Sequence, residues 1–108
     1  MKPEEITTLD FSREVPCAKY AAENNVQQQL GHVLEEFNEI YDALLYYTTH
    51  PEIPEHERMD KINEEITDAK TSLRTLQAIF GFSETEVEAM QITVNMKNKN
   101  RGYWEEKK

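Results

Sequence analysis

The sequence predicts an all-α fold built around an antiparallel helical hairpin. Two long segments carry apolar residues at spacings of three and four, which is the period of an α-helix. The short segment between them contains Pro51 and Pro54, and two prolines so close together do not fit inside a helix. No segment alternates apolar and polar residues convincingly enough to predict a strand.

The first helix is predicted from about Ala18 to Tyr47, where Gly31 is the only glycine or proline. Asn24 and Asn25 mark either a break or an N-cap within this range. The helix carries one apolar stripe, of the kind that faces the rest of a protein. Its members are Val26, Leu30, Val33, Phe37, Ile40 and Leu44, with Leu34, Tyr41 and Leu45 widening it.

The second helix is predicted from about Glu55 to Phe80, with Gly81 as the residue that ends it. Ser83 and Glu86 have the spacing of a capping box, so a third helix is expected from there to about Met96. We expect residues 1–16 to form an extended arm or short helix and residues 97–108 a basic, aromatic tail. The apolar stripes comprise Met59, Ile62, Ile66, Ala69, Leu73, Leu76 and Phe80 on the second helix, and Val87, Met90 and Val94 on the third.

Composition limits the classes of protein to consider. The chain has 108 residues, of which 38% are hydrophobic, so we expect one domain with a small core that oligomerisation completes. A net charge of −9 argues against duplex nucleic acid as a partner. We expect no membrane span, because no apolar run is long enough, and no signal peptide. Cys17 is the only cysteine, which fits a reducing cytoplasm.

Two acidic pairs are the strongest candidates for a functional site. Glu36 and Glu39 on the first helix, and Glu65 and Asp68 on the second, are each spaced by three and so share a helical face. Glu36 and Asp68 are equally distant along the chain from Glu52 in the loop, and so are Glu39 and Glu65. An antiparallel hairpin therefore puts the two pairs at the same height. On a helical wheel both pairs lie beside the apolar stripes and open into one groove.

Four converging carboxylates repel one another strongly, and a hard divalent cation offsets that repulsion. Acidic residues on an ordinary surface helix usually have Lys or Arg four residues away, but the sequence has no Lys or Arg between Lys19 and Arg58. The pattern therefore predicts a site for Mg²⁺, or for Mn²⁺ in its place, rather than solvated surface acids. Such a metal can also bind triphosphate oxygens.

In these acidic motifs the sequence resembles the MazG-like, all-α nucleoside triphosphate pyrophosphohydrolases. The family motif Glu-Glu-x-x-Glu is matched by residues 35–39, and Glu-x-x-Asp by residues 65–68. An Asn-x-Lys-x-x-x-Arg element follows the third helix at Asn95, Lys97 and Arg101. The resemblance covers roughly residues 26–104 and implies that residues 1–108 form a single MazG-like domain.

The resemblance also implies an activity and a set of roles. We expect hydrolysis between the α- and β-phosphates of a (d)NTP, giving a (d)NMP and pyrophosphate, in a homodimer or homotetramer that cleans the nucleotide pool. Glu36 and Glu39 would be catalytic, and with Glu65 and Asp68 they would be the metal ligands. Glu35 matches the motif but turns away on the helical wheel. The substrate would be bound by Asn95, Lys97 and Arg101.

The sequence also allows two other interpretations. In the first, the chain is a non-enzymatic helical oligomerisation or interaction module, and its acids lie on the surface. In the second, it is a carboxylate-bridged di-iron bundle. That site requires a Glu-x-x-His pair, which His32, His50 and His56 do not provide.

Overall fold

The computed structural model describes residues 11–104, and these residues form four helices and no strand. The helices are α1 (Ala18–Glu23), α2 (Val26–Thr49), α3 (Glu55–Ile79) and α4 (Glu84–Asn100). The predicted all-α class is therefore confirmed. The expected arm and tail fall partly outside the described residues, at 1–10 and 105–108. None of the four helices is long and apolar enough to cross a membrane.

The first predicted helix is divided in two at Asn24 and Asn25. The Asn25 side chain accepts a hydrogen bond from the backbone N–H of Gln28 at 2.8 Å, and the Gln28 side chain accepts one from the Asn25 N–H at 2.9 Å. This reciprocal capping box satisfies two N–H groups that the start of a helix leaves free. Of the two alternatives for this asparagine pair, the structure has both a break and an N-cap.

The ends of α3 and α4 follow local sequence signals. Gly81 has a φ of 85°, which a residue with a side chain rarely adopts, and α3 ends there as predicted. The predicted capping box between Ser83 and Glu86 is present at the start of α4. The predicted end of α4 was too early, because the helix continues to Asn100. Lys97 and Lys99 are good helix formers, and cations are favourable in the last turn of a helix.

Helices α2 and α3 form the antiparallel hairpin, but only part of each predicted apolar stripe, including Val33 and Ala69, lies on the face that joins them. The buried residues of the pair are mostly small or polar: Gln29, Val33, Ala43, Ala69, Ser72, Arg74 and Thr75. Side chains such as Ala43 and Ala69 let the two helices approach closely. Most of the predicted stripe on α2 stays exposed, with exposed fractions of 47% for Leu30, 46% for Phe37 and 48% for Leu44. The core of the single chain is therefore small, as the composition predicted, and it takes up only part of the stripe.

The loop of the hairpin is held by Arg58. Its Nε donates to the backbone carbonyl of Ile53 at 2.8 Å, and its Nη1 donates to that of Tyr47 at 2.7 Å. The guanidinium also lies 4.7 Å from the centre of the Tyr47 ring. These contacts tie the last turn of α2 to the first turn of α3, and so fix how the two helices meet.

The two shorter helices flank α3. The segment before α1 is attached where the backbone N–H of Cys17 donates to the hydroxyl of Thr75 at 2.9 Å. The start of α4 is tethered by Glu84, which pairs with Arg74 at 2.9 Å and with Arg13 at 3.2 Å. Beyond this tether much of α4 is open to solvent, including Met90, Ile92 and Met96.

Candidate metal centre

The packed face of the hairpin brings three carboxylates together. Glu36 of α2 and Glu65 and Asp68 of α3 each offer an oxygen, and these oxygens all lie within 4.8 Å of one another. Because a spacing of three keeps Glu65 and Asp68 on one face of α3, about one helical turn apart, both can reach Glu36 on the facing helix. The cluster therefore joins carboxylates from both helices of the hairpin.

The fourth carboxylate, Glu39, adjoins this cluster. A hydrogen bond with the Glu65 side chain, together with the negative charge of Glu36, raises the pKa of Glu39 above its ordinary value of 4.5. Two carboxylates can share a hydrogen bond only when one of them holds a proton. The two predicted pairs are therefore close enough to affect each other's ionisation.

Two oxygens of the cluster lack a hydrogen-bond partner among the described residues. The side chains of Glu36 and Glu65 are each only 12% exposed. The Oε2 atom of each is buried and accepts no hydrogen bond from the part of the chain that the structure describes. A carboxylate oxygen taken out of water without a donor is costly, and a cation removes that cost. These unpartnered oxygens fit a hard divalent cation, which prefers carboxylate and water ligands.

Few cations balance the cluster within the described residues. Lys61 Nζ lies 3.6 Å from Glu65, and His32 Nε2 lies 3.5 Å from Glu36. Lys61 is half exposed, so solvent screens its charge. His32 offers a positive charge only when it is protonated. Glu35 is 75% exposed and stands apart from the cluster, as its place on the helical wheel indicated.

A cavity of about 260 Å³ adjoins the cluster and includes two of its carboxylates. Tyr20 of α1 and His32 of α2 meet edge to face in this cavity, with ring centres 5.2 Å apart. Hydroxyl groups of α3 line the opposite wall. The full lining comprises Cys17, Tyr20, His32, Glu36, Asp68, Thr71, Ser72 and Thr75. A polar ligand bound here would have an aromatic wall, hydroxyl donors and carboxylates around it.

The three predicted substrate-binding residues lie on or just beyond the C-terminal half of α4. Asn95 is half-buried and accepts a hydrogen bond from the Gln91 side chain at 3.0 Å. Lys97 and Arg101 are exposed. Within residues 11–104, none of the three forms a hydrogen bond or ion pair with the four carboxylates. The described part of the chain therefore brings the acids together without pairing these three residues with them.

Several polar residues around the centre were not singled out from the sequence. Gln29 is fully buried in the hairpin and bonds to Ser72, and Thr75 holds the segment before α1. The sequence did carry a signal for Gln29. It precedes Glu36 by about two helical turns, which puts both residues on the same face of α2.

Comparisons with known proteins give no assignment. No protein-family model matches the chain, and neither a curated protein nor a solved structure matches it. The site is therefore interpreted from its own geometry and from the motifs in the sequence.

Proposed function

We propose that this protein is an Mg²⁺-dependent nucleoside triphosphate pyrophosphohydrolase that resembles the MazG-like enzymes. The observation that carries the proposal is the convergence of Glu36, Glu65 and Asp68 within 4.8 Å, with buried, unpartnered oxygens on the two glutamates. Carboxylates that are only solvated surface groups do not need to converge in this way. Their convergence and burial are costly without a cation. The products would be a nucleoside monophosphate and pyrophosphate.

The four carboxylates would have separate roles in binding the metal and in catalysis. Glu36, Glu65 and Asp68 would hold the metal, and Glu39 would complete its ligand set. When bound, Mg²⁺ supplies Lewis-acid chemistry by polarising phosphate oxygens and making a water molecule more acidic. Glu36 and Glu39 would orient that water and accept its proton.

The cavity beside the carboxylates supports the proposal that the nucleoside of the substrate binds there. Its volume of about 260 Å³ and its contact with Glu36 and Asp68 would put a bound nucleoside next to the metal. The ring of Tyr20 offers an aromatic surface, and Thr71 offers a hydroxyl. Asn95, Lys97 and Arg101 would bind the triphosphate, because Lys and Arg stabilise the charge that develops on phosphates.

The exposed apolar surface of α2 supports an oligomer. Leu34, Tyr41 and Leu45 are each at least half exposed and lie on one stripe. Monomeric proteins seldom leave such a surface to water. We propose a homodimer or homotetramer in which this stripe completes a helical bundle, and we place the protein in the cytoplasm because its single cysteine has no disulfide partner within the chain.

The test is a panel of ribo- and deoxyribonucleoside triphosphates incubated with the full-length protein and Mg²⁺. The expected products are pyrophosphate and the monophosphate from at least one substrate. Activity should disappear with EDTA and in the variants Glu39→Gln and Asp68→Asn, while Glu35→Gln should remain active. Release of inorganic monophosphate would show that a different bond is cut, and no product from any substrate would refute the proposal.

A second candidate function is a non-enzymatic helical interaction module. The exposed stripe of α2 favours it, because that surface needs a partner whether or not the chain is an enzyme. Thermal unfolding with and without Mg²⁺ or Mn²⁺ separates the two candidates. An enzyme of the proposed kind is stabilised by the metal, whereas an interaction module is not.

A further inference from the structure

The groove between α3 and α4 contains a buried cation with unused donors. The Arg74 side chain is only 8% exposed, and its Nη2 donates to Glu84 at 2.9 Å. Its Nε and Nη1 atoms are buried and have no hydrogen-bond partner within residues 11–104. Leaving a buried charged donor unsatisfied is costly, because the group loses its water without replacement. The Nε and Nη1 donors of Arg74 therefore require acceptor atoms that the described residues do not supply.

The groove that Arg74 lines is large enough for a small molecule. Its volume of about 500 Å³ lies within the range of roughly 300–1,000 Å³ typical of ligand pockets. Most of its wall is apolar and comes from both helices. The apolar residues of that wall are Leu73, Leu76, Val87, Met90 and Val94. A ligand that fits this lining has an apolar body as well as a group that accepts hydrogen bonds.

The charges around the groove favour a ligand with a single negative charge. Lys70 also lines the groove, but it pairs with Glu14 at 3.2 Å. Glu14 lines the groove, and Glu84 accepts a hydrogen bond from Arg74, so both carboxylates would repel a doubly charged phosphate bound beside Arg74. A carboxylate brings acceptor oxygens with half the charge, and guanidinium groups bind carboxylates well.

We propose that this groove is a binding site for a monocarboxylate with an apolar body. The carboxylate accepts hydrogen bonds from Arg74, and the apolar body lies between α3 and α4 against Leu73 and Met90. None of the four carboxylates of the metal centre lines the groove. The site is thus separate from the proposed active site, and its existence does not depend on that activity.

The first test uses octanoate as the probe, below its micelle concentration, and follows the amide and Arg74 Nε–H signals of the full-length protein by NMR. Octanoate is expected to give saturable shifts confined to the groove and Arg74. Octanol has the same chain without the charge and should bind at least about tenfold more weakly. Equal binding of octanol, preferential binding of inorganic phosphate, or no saturable shift would each overturn the proposal.

Two pairs of variants separate binding from folding. Met90 is 61% exposed, so changes there should not disturb the fold. Met90→Glu adds a negative charge to the groove and should weaken octanoate binding about tenfold more than Met90→Gln, which has the same size without the charge. Arg74→Lys removes the fork of donors and should also weaken binding, whereas Arg101→Lys makes the same change outside the groove and should not.

A second copy of the chain is the competing occupant. If the groove signals change on dilution of the protein without octanoate, and octanoate fails to shift them further, the groove is covered by another subunit and the proposal is wrong. If the signals are independent of protein concentration and octanoate shifts them, the proposal stands.

Discussion

Gln29 and Ser72 join the two helices of the hairpin from inside their packed face. The Nε2 atom of Gln29 donates to both the backbone carbonyl and the hydroxyl of Ser72, at 3.1 Å in each case. Gln29 precedes Glu36, and Ser72 follows Glu65, by about two helical turns in each case. Because the same displacement applies on both helices, the contact that aligns Gln29 with Ser72 also aligns Glu36 with Glu65.

We predict that Gln29→Leu destabilises the protein by about 1–3 kcal/mol, because it leaves buried polar atoms of Ser72 without a partner. Urea unfolding followed by circular dichroism measures the change. Gln27→Leu is the matched control, since Gln27 is exposed on the same helix. The same loss of stability in both variants would show that the buried contact contributes nothing specific.

The fold was largely predictable from local signals. The capping box at Ser83, the end of α3 at Gly81 and the loop at Pro51 and Pro54 each depend on neighbouring residues, so the sequence alone reveals them. The acidic pairs were predictable for a related reason. Their spacing and their distances from the loop predict that the two pairs meet, although the contact of Gln29 with Ser72 places Glu36 level with Glu65 rather than with Asp68.

The packed face of the hairpin was not predictable in the same way. Hydrophobic periodicity locates the apolar face of a helix but does not say whether that face meets the same chain or another molecule. In α2 the residues that meet α3 include Gln29 and Ala43, while Leu34 and Tyr41 remain exposed. Hydrophobic periodicity also does not predict contacts between different helices, such as that of Arg74 with Glu84.

We predict that removing one charge from the carboxylate cluster weakens Mg²⁺ binding by roughly tenfold or more, since even changes in groups that support a metal ligand can cost this much. Glu36→Gln and Asp68→Asn test this by isothermal titration and by the rise in Tm that Mg²⁺ causes. Without metal, both variants should unfold at a higher temperature than wild type, because repulsion is relieved. Glu35→Gln, which changes an exposed carboxylate outside the cluster, should leave both measurements unchanged.

We predict a distinctive pH dependence for Glu39. Its pKa is raised in the folded chain and is near the ordinary value of 4.5 in the unfolded chain. As pH rises above 4.5 the unfolded state therefore loses this proton first, and the folded state is progressively disfavoured until its own Glu39 ionises. In EDTA, Glu39→Gln should be more stable than wild type at neutral pH, and the difference should vanish below about pH 4.5. A Tm difference that grows towards acid would contradict this assignment.

We predict that a charge on the exposed stripe of α2 separates the subunits. Tyr41 is 65% exposed in the single chain, so Tyr41→Asp should fold normally but place an unpaired charge at the proposed interface. Analytical ultracentrifugation should show a lower mass than for wild type. Tyr41→Phe keeps the apolar ring and should keep the wild-type mass. A wild-type protein that is monomeric at all concentrations would refute the proposed assembly.

We predict that Lys97→Ala and Arg101→Ala each reduce kcat/KM for the hydrolysed triphosphate by about ten- to a hundredfold, which corresponds to losing one charge-assisted hydrogen bond of roughly 1.5–3 kcal/mol. Lys97 lies in the last turn of α4 and Arg101 just beyond it, and both are exposed. The stabilisation by Mg²⁺ alone should therefore match that of wild type.

Lys99→Ala changes a neighbouring exposed cation outside the motif and is the control for a general loss of positive charge. If Lys99→Ala reduces activity as much as the other two, these cations act only through the overall field of α4. If instead Mg²⁺ binding weakens together with activity in Lys97→Ala and Arg101→Ala, α4 supports the metal centre rather than the phosphates.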